Sequence, residues 1–165
     1  MSINKVVQGD LIKMALNGDF DVIVQGCNCF GVMGAGIAPQ IAGAFGGDED
    51  LVRQADLDFP LELGNKARLG HYSYLQTENV LVINAYTQHS TGGRRFGKPD
   101  VSYDAILEVF TKLNIDLENH PEMRIGIPMI GAGLAGGDWG IIKKLINDAT
   151  PDLNITLVEY QPEIL

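Results

Sequence analysis

The chain has 165 residues, 45% hydrophobic and 20% charged, with a formal net charge of −9. That length suits one domain spanning residues 1–165 with a core of its own, and the composition excludes disorder over most of the chain. Gripping nucleic acid through its phosphates needs a basic surface, so the acidic balance argues against a nucleic-acid partner. In chain order, Lys5–Gln8 reads as a short strand and Val22–Gln25 as a buried one. Gly36–Ala44 has apolar spacing that suits a helix, with Pro39 tolerable only in the first turn. Leu51–Leu57 predicts another short helix, and the acids around it (Asp48, Glu49, Asp50, Asp56 and Asp58 against Arg53) read as a solvated helix surface. His71–Leu75 alternates and Val80–Ala85 is a continuous apolar run, so both predict strands. Ser102–Leu117, capped by Asp100 or Ser102, repeats apolar residues at Ala105, Ile106, Val109, Phe110, Leu113 and Leu117, the stripe of a half-buried helix. Arg124–Met129 predicts a strand, Trp139–Ala149 a helix and Ile155–Tyr160 a final strand. Strands and helices mixed in this order predict an α/β fold: a three-layer α/β/α sandwich around a mixed, largely parallel central sheet.

The compartment follows from what is missing. No apolar run of about 20 residues is present to span a membrane. The opening MSINKVVQGDLIK meets a polar QGD too early for a secretory leader. Cys27 and Cys29, one residue apart, do not suit a disulfide framework. The expectation is a cytoplasmic monomer with no membrane partner.

Glycine is the informative residue. There are 20, well above the usual share of about 7%, and they concentrate between Gly26 and Gly47, between Gly92 and Gly97, and between Gly126 and Gly140. Two of these loops each follow a buried-strand pattern and precede a helix. Gly31–Gly36 (GVMGAG) leaves backbone N–H groups open just before a helix, where anions bind. It is neither a Walker loop nor a dinucleotide fingerprint. Ile130–Gly140 (IGAGLAGGDWG) repeats the arrangement. Two such loops at adjacent strand ends suit a diphosphate held without lysine, which fits an acidic chain.

Four segments then match one family in order: QGDLI at Gln8–Ile12, VQGCN at Val24–Asn28, GVMGAGIA at Gly31–Ala38, and IPMIGAGLAGGDW at Ile127–Trp139. Over nearly its whole length the chain resembles the macrodomains, the ADP-ribose-binding family, and its CNCFGVMGAGIA segment resembles the branch of ADP-ribose 1″-phosphate phosphatases and terminal ADP-ribose glycohydrolases. The resemblance implies a small-molecule partner, ADP-ribose or its 1″-phosphate. It implies that Asp10 accepts a hydrogen bond from the adenine amino group, with the amides of Leu11 or Ile12 alongside; capping a short helix at LIKMAL is the other role for Asp10. Asn28 would bond the distal ribose, against the alternative of a loop asparagine in a left-handed turn. Gly34, Ala35, Gly36 and Ile37 would cradle one part of the diphosphate, with Cys27, Cys29 and Met33 lining the same loop. Ile130, Gly131, Ala132, Gly133, Leu134, Ala135 and Gly136 would hold the rest. Tyr160 stacks on adenine or is an ordinary surface tyrosine.

The departures concern chemistry. Where the glycohydrolases carry an aspartate this chain has Ala135, and Gln88 stands at their lysine; Asp138 reads as a helix cap instead. Among titratable groups, His89 lies just past a strand end and is the candidate for proton transfer, or else a solvated loop histidine. Arg94, Arg95 and Lys98 form a mobile phosphate clamp or plain surface charge. His71 and His120 read as structural, and the two cysteines as small buried packing with no activating partner. No cluster has metal-ligand spacing, so neither metal nor cofactor is expected. The expected activity is hydrolysis of ADP-ribose 1″-phosphate, with Asn28 and His89 as catalytic residues. The alternatives are a non-catalytic ADP-ribose-binding module and an ADP-ribosyl hydrolase or deacylase. A compact chain without a tail favours a small-molecule substrate over a reader.

Overall fold

Alternation within the strands decides the layers. In a computed structural model, which describes residues 2–93 and 97–162, six strands form one sheet. Its order is β1 (Ser2–Gly9), β6 (Asn154–Tyr160), β5 (Arg124–Ile127), β2 (Val22–Cys27), β4 (Leu81–Tyr86) and β3 (Tyr72–Gln76). Every neighbouring pair is parallel except β3–β4. Val22 and Val24 of β2, Ile83 and Ala85 of β4, Ile125 and Ile127 of β5, and Ile155 and Leu157 of β6 all turn to one face. There they meet α4 (Tyr103–Leu117) and α5 (Trp139–Ala149), whose buried stripes are Ile106, Val109, Phe110 and Leu113, and Ile142 and Ile146. The in-between positions Ile23, Val82 and Val158 face α1 (Leu11–Leu16), α2 (Ala38–Phe45) and α3 (Leu51–Leu57). Strands that are buried on both faces read as continuous apolar runs, and helices then cover both sides. This is the three-layer sandwich expected. Gly126 lets α1 lie close on β5: a Cβ there would fall 2.8 Å from Leu11 Cδ1 and from the Phe20 ring.

Helix starts follow their caps. Asp10, Ser102 and Asp138 each accept backbone N–H groups in the first turn of α1, α4 and α5. Ser102 is thus the cap of α4, while Asp100 Oδ1 accepts from Gly93 N at 2.9 Å instead. Several boundaries differ from the sequence pattern for identifiable reasons. β1 starts at Ser2 rather than Lys5, because pairing with β6 carries it through exposed Asn4 and Lys5, which break any apolar alternation. β5 ends at Ile127 rather than Met129, since Pro128 has no N–H to extend the ladder. α2 starts at Ala38 rather than Gly36, whose φ of +67° lies outside the helical range. Pro39 does sit in the first turn. His71 stands just before β3, exposed, and a 3-10 turn at Lys66–Arg68 has no signature in the apolar pattern.

The acidic stretch 48–58 is not uniformly solvated. Asp56 is fully buried on the same face of α3 as Val52, and it pairs with an equally buried Arg68 at 2.8 Å. Tyr86 Oη donates to the same carboxylate oxygen at 2.6 Å, and Arg68 also donates to the Asp56 carbonyl. The cluster continues through Ser73 and Asn84 to Gln25, all buried. Burial pushes the Asp56 carboxyl up, against the Tyr86 hydroxyl and Arg68 guanidinium, which favour the ionised form. Because each charge is desolvated, breaking the pair from one side should be costly. Arg68→Met is expected to lose about 3–5 kcal/mol of unfolding free energy, and adding Asp56→Leu to recover most of it. Urea denaturation of the two variants against the parent measures both.

Candidate ligand site

The sheet opens where its order changes direction. β2 stays paired with β4 through Cys27↔Tyr86, and β5 stays paired with β6 through Ile127↔Leu157. Between β2 and β5, however, the register runs only through Val22↔Ile125 and Ile23↔Gly126. Beyond those two rungs the strands part, which creates the crevice outside the carboxyl ends where α/β sheets take their ligands. The first glycine loop leaves β2 on one side of the split and the second leaves β5 on the other. They meet: a Cβ built on Gly36 would lie 3.7 Å from Leu134 Cδ1. Ile130 closes the floor, since a Cβ on Gly26 would come within 3.1 Å of Ile130 Cγ2.

Both loops carry unspent donors. Among the described residues, the amides of Met33, Gly34, Ala35, Gly36 and Ile37 donate to no protein group, nor do those of Gly131 and Leu134. Three amides of the second loop hold its shape: Ala132 N donates to Met129 O, Gly136 N to Gly133 O, and Gly137 N to Gly131 O. Gly131 and Gly136 both have positive φ, as does Gly36. Two members of the expected set face inward instead. Ile130 and Ala135 are core residues, and the Ala135 carbonyl accepts from Asp100 N and Val101 N. Neither side chain is presented to a ligand.

Asn28 is buried and folds the first loop around itself. Its Oδ1 accepts from Phe30 N at 2.9 Å and Val32 N at 3.3 Å, and its Nδ2 donates to Val32 O at 2.7 Å. It does not have the positive φ of a left-handed turn. One Nδ2 hydrogen remains uncommitted. The backbone on either side is stitched down: Thr87 N donates to Cys27 O, Cys29 N to His89 O, and Gly64 N and Arg68 Nη1 to Cys29 O. Burial raises both the Cys27 and Cys29 thiols, the opposite of the lowered pKa that activates a cysteine nucleophile.

His89 is half-buried rather than solvated. Its ring meets Phe30 edge-on at 5.0 Å, and its Nε2 lies 2.8 Å from Gly64 O, so that nitrogen carries the proton. Only Nδ1 is left for exchange. Arg94 and Arg95 lie outside the described residues. Lys98 is exposed and stands beside the second loop, lining a groove of about 390 Å³ with Gly133 and Gly136.

At the far end of the same edge, Asp10 caps α1 with a single oxygen, Oδ1, which accepts from Ile12 N at 3.0 Å and Lys13 N at 3.1 Å. Oδ2 accepts from no described residue. The Ile12 amide is therefore spent on the cap and unavailable to a ligand, and the side chains of Leu11 and Ile12 are core. Tyr160 pairs in register with Gly9, the residue before Asp10, and is 71% exposed. Sequence patterns missed Asp56 and Arg68, although an aspartate one turn from Val52 on the apolar face of α3 was the available sign. No helix among the described residues is long and apolar enough to cross a membrane, and none of their His, Cys, Asp or Glu side chains group to hold a metal.

Solved structures define the class. A macrodomain protein from Streptomyces coelicolor superposes with a TM-score of 0.69 at 25% identity, over 96% of this chain and 99% of that one. DarTG of Thermosipho africanus, solved in complex with ADP-ribose, gives 0.69 at 18% identity over all of this chain and 45% of the longer one. The fold is that of the macrodomains. No protein-family model matches the sequence. An uncharacterised 17.5 kDa protein from the tk–vs intergenic region of Enterobacteria phage T4 is 33% identical, covering 97% of this chain and 98% of its own. The chain belongs to the same family as this phage protein.

Native thiols buried in this way should resist an aromatic disulfide reagent at neutral pH, and both should react promptly once the chain is unfolded in urea. Absorbance of the released thiolate counts them.

Proposed function

We propose that the chain binds ADP-ribose across the β2–β5 split and hydrolyses ADP-ribose 1″-phosphate to ADP-ribose and phosphate. The observation that carries the binding is the set of unpaired amides in two loops that face each other across the split. Backbone donors fixed in a loop stabilise a diphosphate without a lysine field. The free Oδ2 of Asp10 suits the adenine amino group, Tyr160, paired with Gly9, offers a face for the ring, and the remaining Nδ2 hydrogen of Asn28 suits a ribose hydroxyl. That DarTG was solved with ADP-ribose supports the ligand class.

For the hydrolytic step, the same amides would stabilise charge developing on a phosphate at the distal ribose. His89 would pass a proton through Nδ1 while Nε2 stays on Gly64 O. A site built from backbone groups, with neither thiol activated, predicts slow turnover. The inward-facing Ala135 offers no carboxylate for a glycohydrolase or deacylase.

Asp10→Ala should weaken ADP-ribose binding by about 1.5–3 kcal/mol, the worth of a hydrogen bond to a charged group. Asp10→Ser keeps the helix cap and should lose as much, which separates the ligand contact from the cap. Calorimetry reads both, and unchanged affinity in either removes Asp10 from the site. Catalysis is tested by phosphate release from ADP-ribose 1″-phosphate. His89→Ala should lower the rate while keeping ADP-ribose affinity, whereas wild-type binding without phosphate release leaves a non-catalytic module.

A further inference from the structure

The first glycine loop has an outer wall as well as an inner one. Along it runs a groove of about 530 Å³, bounded by Gly31, Met33 and Gly34 of the loop, Pro39 of α2, and Asp50 and Arg53 at the start of α3. Arg53 is exposed, yet it is not a free surface arginine. Its Nε donates to the Gly31 carbonyl at 3.0 Å, which ties the guanidinium to the loop. Its terminal nitrogens make no hydrogen bond or ion pair with a described residue, although its charge also favours the ionised form of the buried Asp56 carboxyl behind Gly31. A planar guanidinium held by Nε keeps the paired donors of its outer edge for the oxygens of one anion. Met33 and Gly34, whose amides are unpaired, line the same groove. Asn28 holds the backbone of Val32, in the middle of this loop, at 2.7 Å. Val32 also lines the groove, so a ribose seated at Asn28 would lie against the segment that forms its wall.

Resting on the reading that ADP-ribose occupies the β2–β5 split, we propose that Arg53 binds a phosphate monoester carried on the distal ribose, and that it makes the site selective for phosphorylated ADP-ribose over ADP-ribose itself. Asp50 shares the groove, and its carboxylate opposes the anion. Arg53 overcomes it because the guanidinium reaches the anion by direct paired hydrogen bonds, whereas the exposed carboxylate acts through water.

The test compares ADP-ribose with its 1″-methylenephosphonate analogue, which cannot be hydrolysed, so binding is read without turnover. Calorimetry should find the wild-type chain binding the phosphonate at least about tenfold more tightly than ADP-ribose. Arg53→Gln should lose about tenfold for the phosphonate and less than about twofold for ADP-ribose, with an unchanged melting curve. Asp50→Asn should tighten the phosphonate alone. Equal losses for both ligands in Arg53→Gln would mean that Arg53 only shapes the loop through Gly31, and would overturn the proposal, as would a wild-type chain with no preference for the phosphonate. Failure of the underlying reading looks different: neither ligand binds the wild-type chain.

Discussion

β2 is hydrogen-bonded along its whole length to β4, but to β5 at only two rungs, and everything with a claim on a ligand is arranged around that inequality. A parallel sheet delivers all its strand ends to one edge, so the segments after β1, β2, β4, β5 and β6 gather there however far apart they are in sequence. The early parting of β2 and β5 adds a gap in the middle of that edge. Glycine is needed on both sides of the gap for different reasons. Gly26 has no room for a Cβ beside Thr87 and Ile130, while Gly36 has a positive φ that turns the loop back toward α2.

The gap needs rigid walls, and the first loop has few apolar anchors of its own. Val32 and Phe30 are exposed. What holds its root is polar: Cys29 O takes Gly64 N and Arg68 Nη1, and Arg68 is in turn fixed by Asp56 and Tyr86. A buried ion pair is poor value as a source of stability, since desolvation cancels most of its attraction. Its geometry is less replaceable. A guanidinium can hold a carbonyl of α3, a carboxylate, a phenol and a loop carbonyl at once, which no apolar side chain does.

The layers, the strand and helix identities and both glycine loops were legible in the sequence because each is written in local periodicity or in residues with special backbone freedom. Three features were not. The pairing of Asp56 with Arg68 joins residues twelve apart through a 3-10 turn that no periodicity marks, and charge alone assigned Asp56 to the surface. The inward turn of Ile130 and Ala135 depends on which side of the sheet split each residue falls, which motif matching does not encode. The state of His89 depends on Gly64, 25 residues earlier, whose carbonyl takes Nε2. In each case the deciding partner is a backbone or side-chain group brought in by tertiary packing.

The charge balance points to the same edge. Most of the described cations with resolved partners are spent on the protein itself: Arg68 is buried against Asp56 and the root of the first loop, Arg124 pairs with Asp21, Lys112 donates to Gly70 O, and Lys144 pairs with Asp148. A chain of net charge −9 would therefore meet the proposed anionic ligand chiefly with dipoles. That works only if the donors are fixed before the ligand arrives, because a loop that must order itself on binding spends much of what its hydrogen bonds return. The Asn28 side chain, which accepts two amides of its own loop and donates to a carbonyl of it, supplies that order in advance. On the proposed reading, an asparagine committed this heavily to its own loop would contribute to binding more by fixing the amides that follow it than by the single N–H it has left.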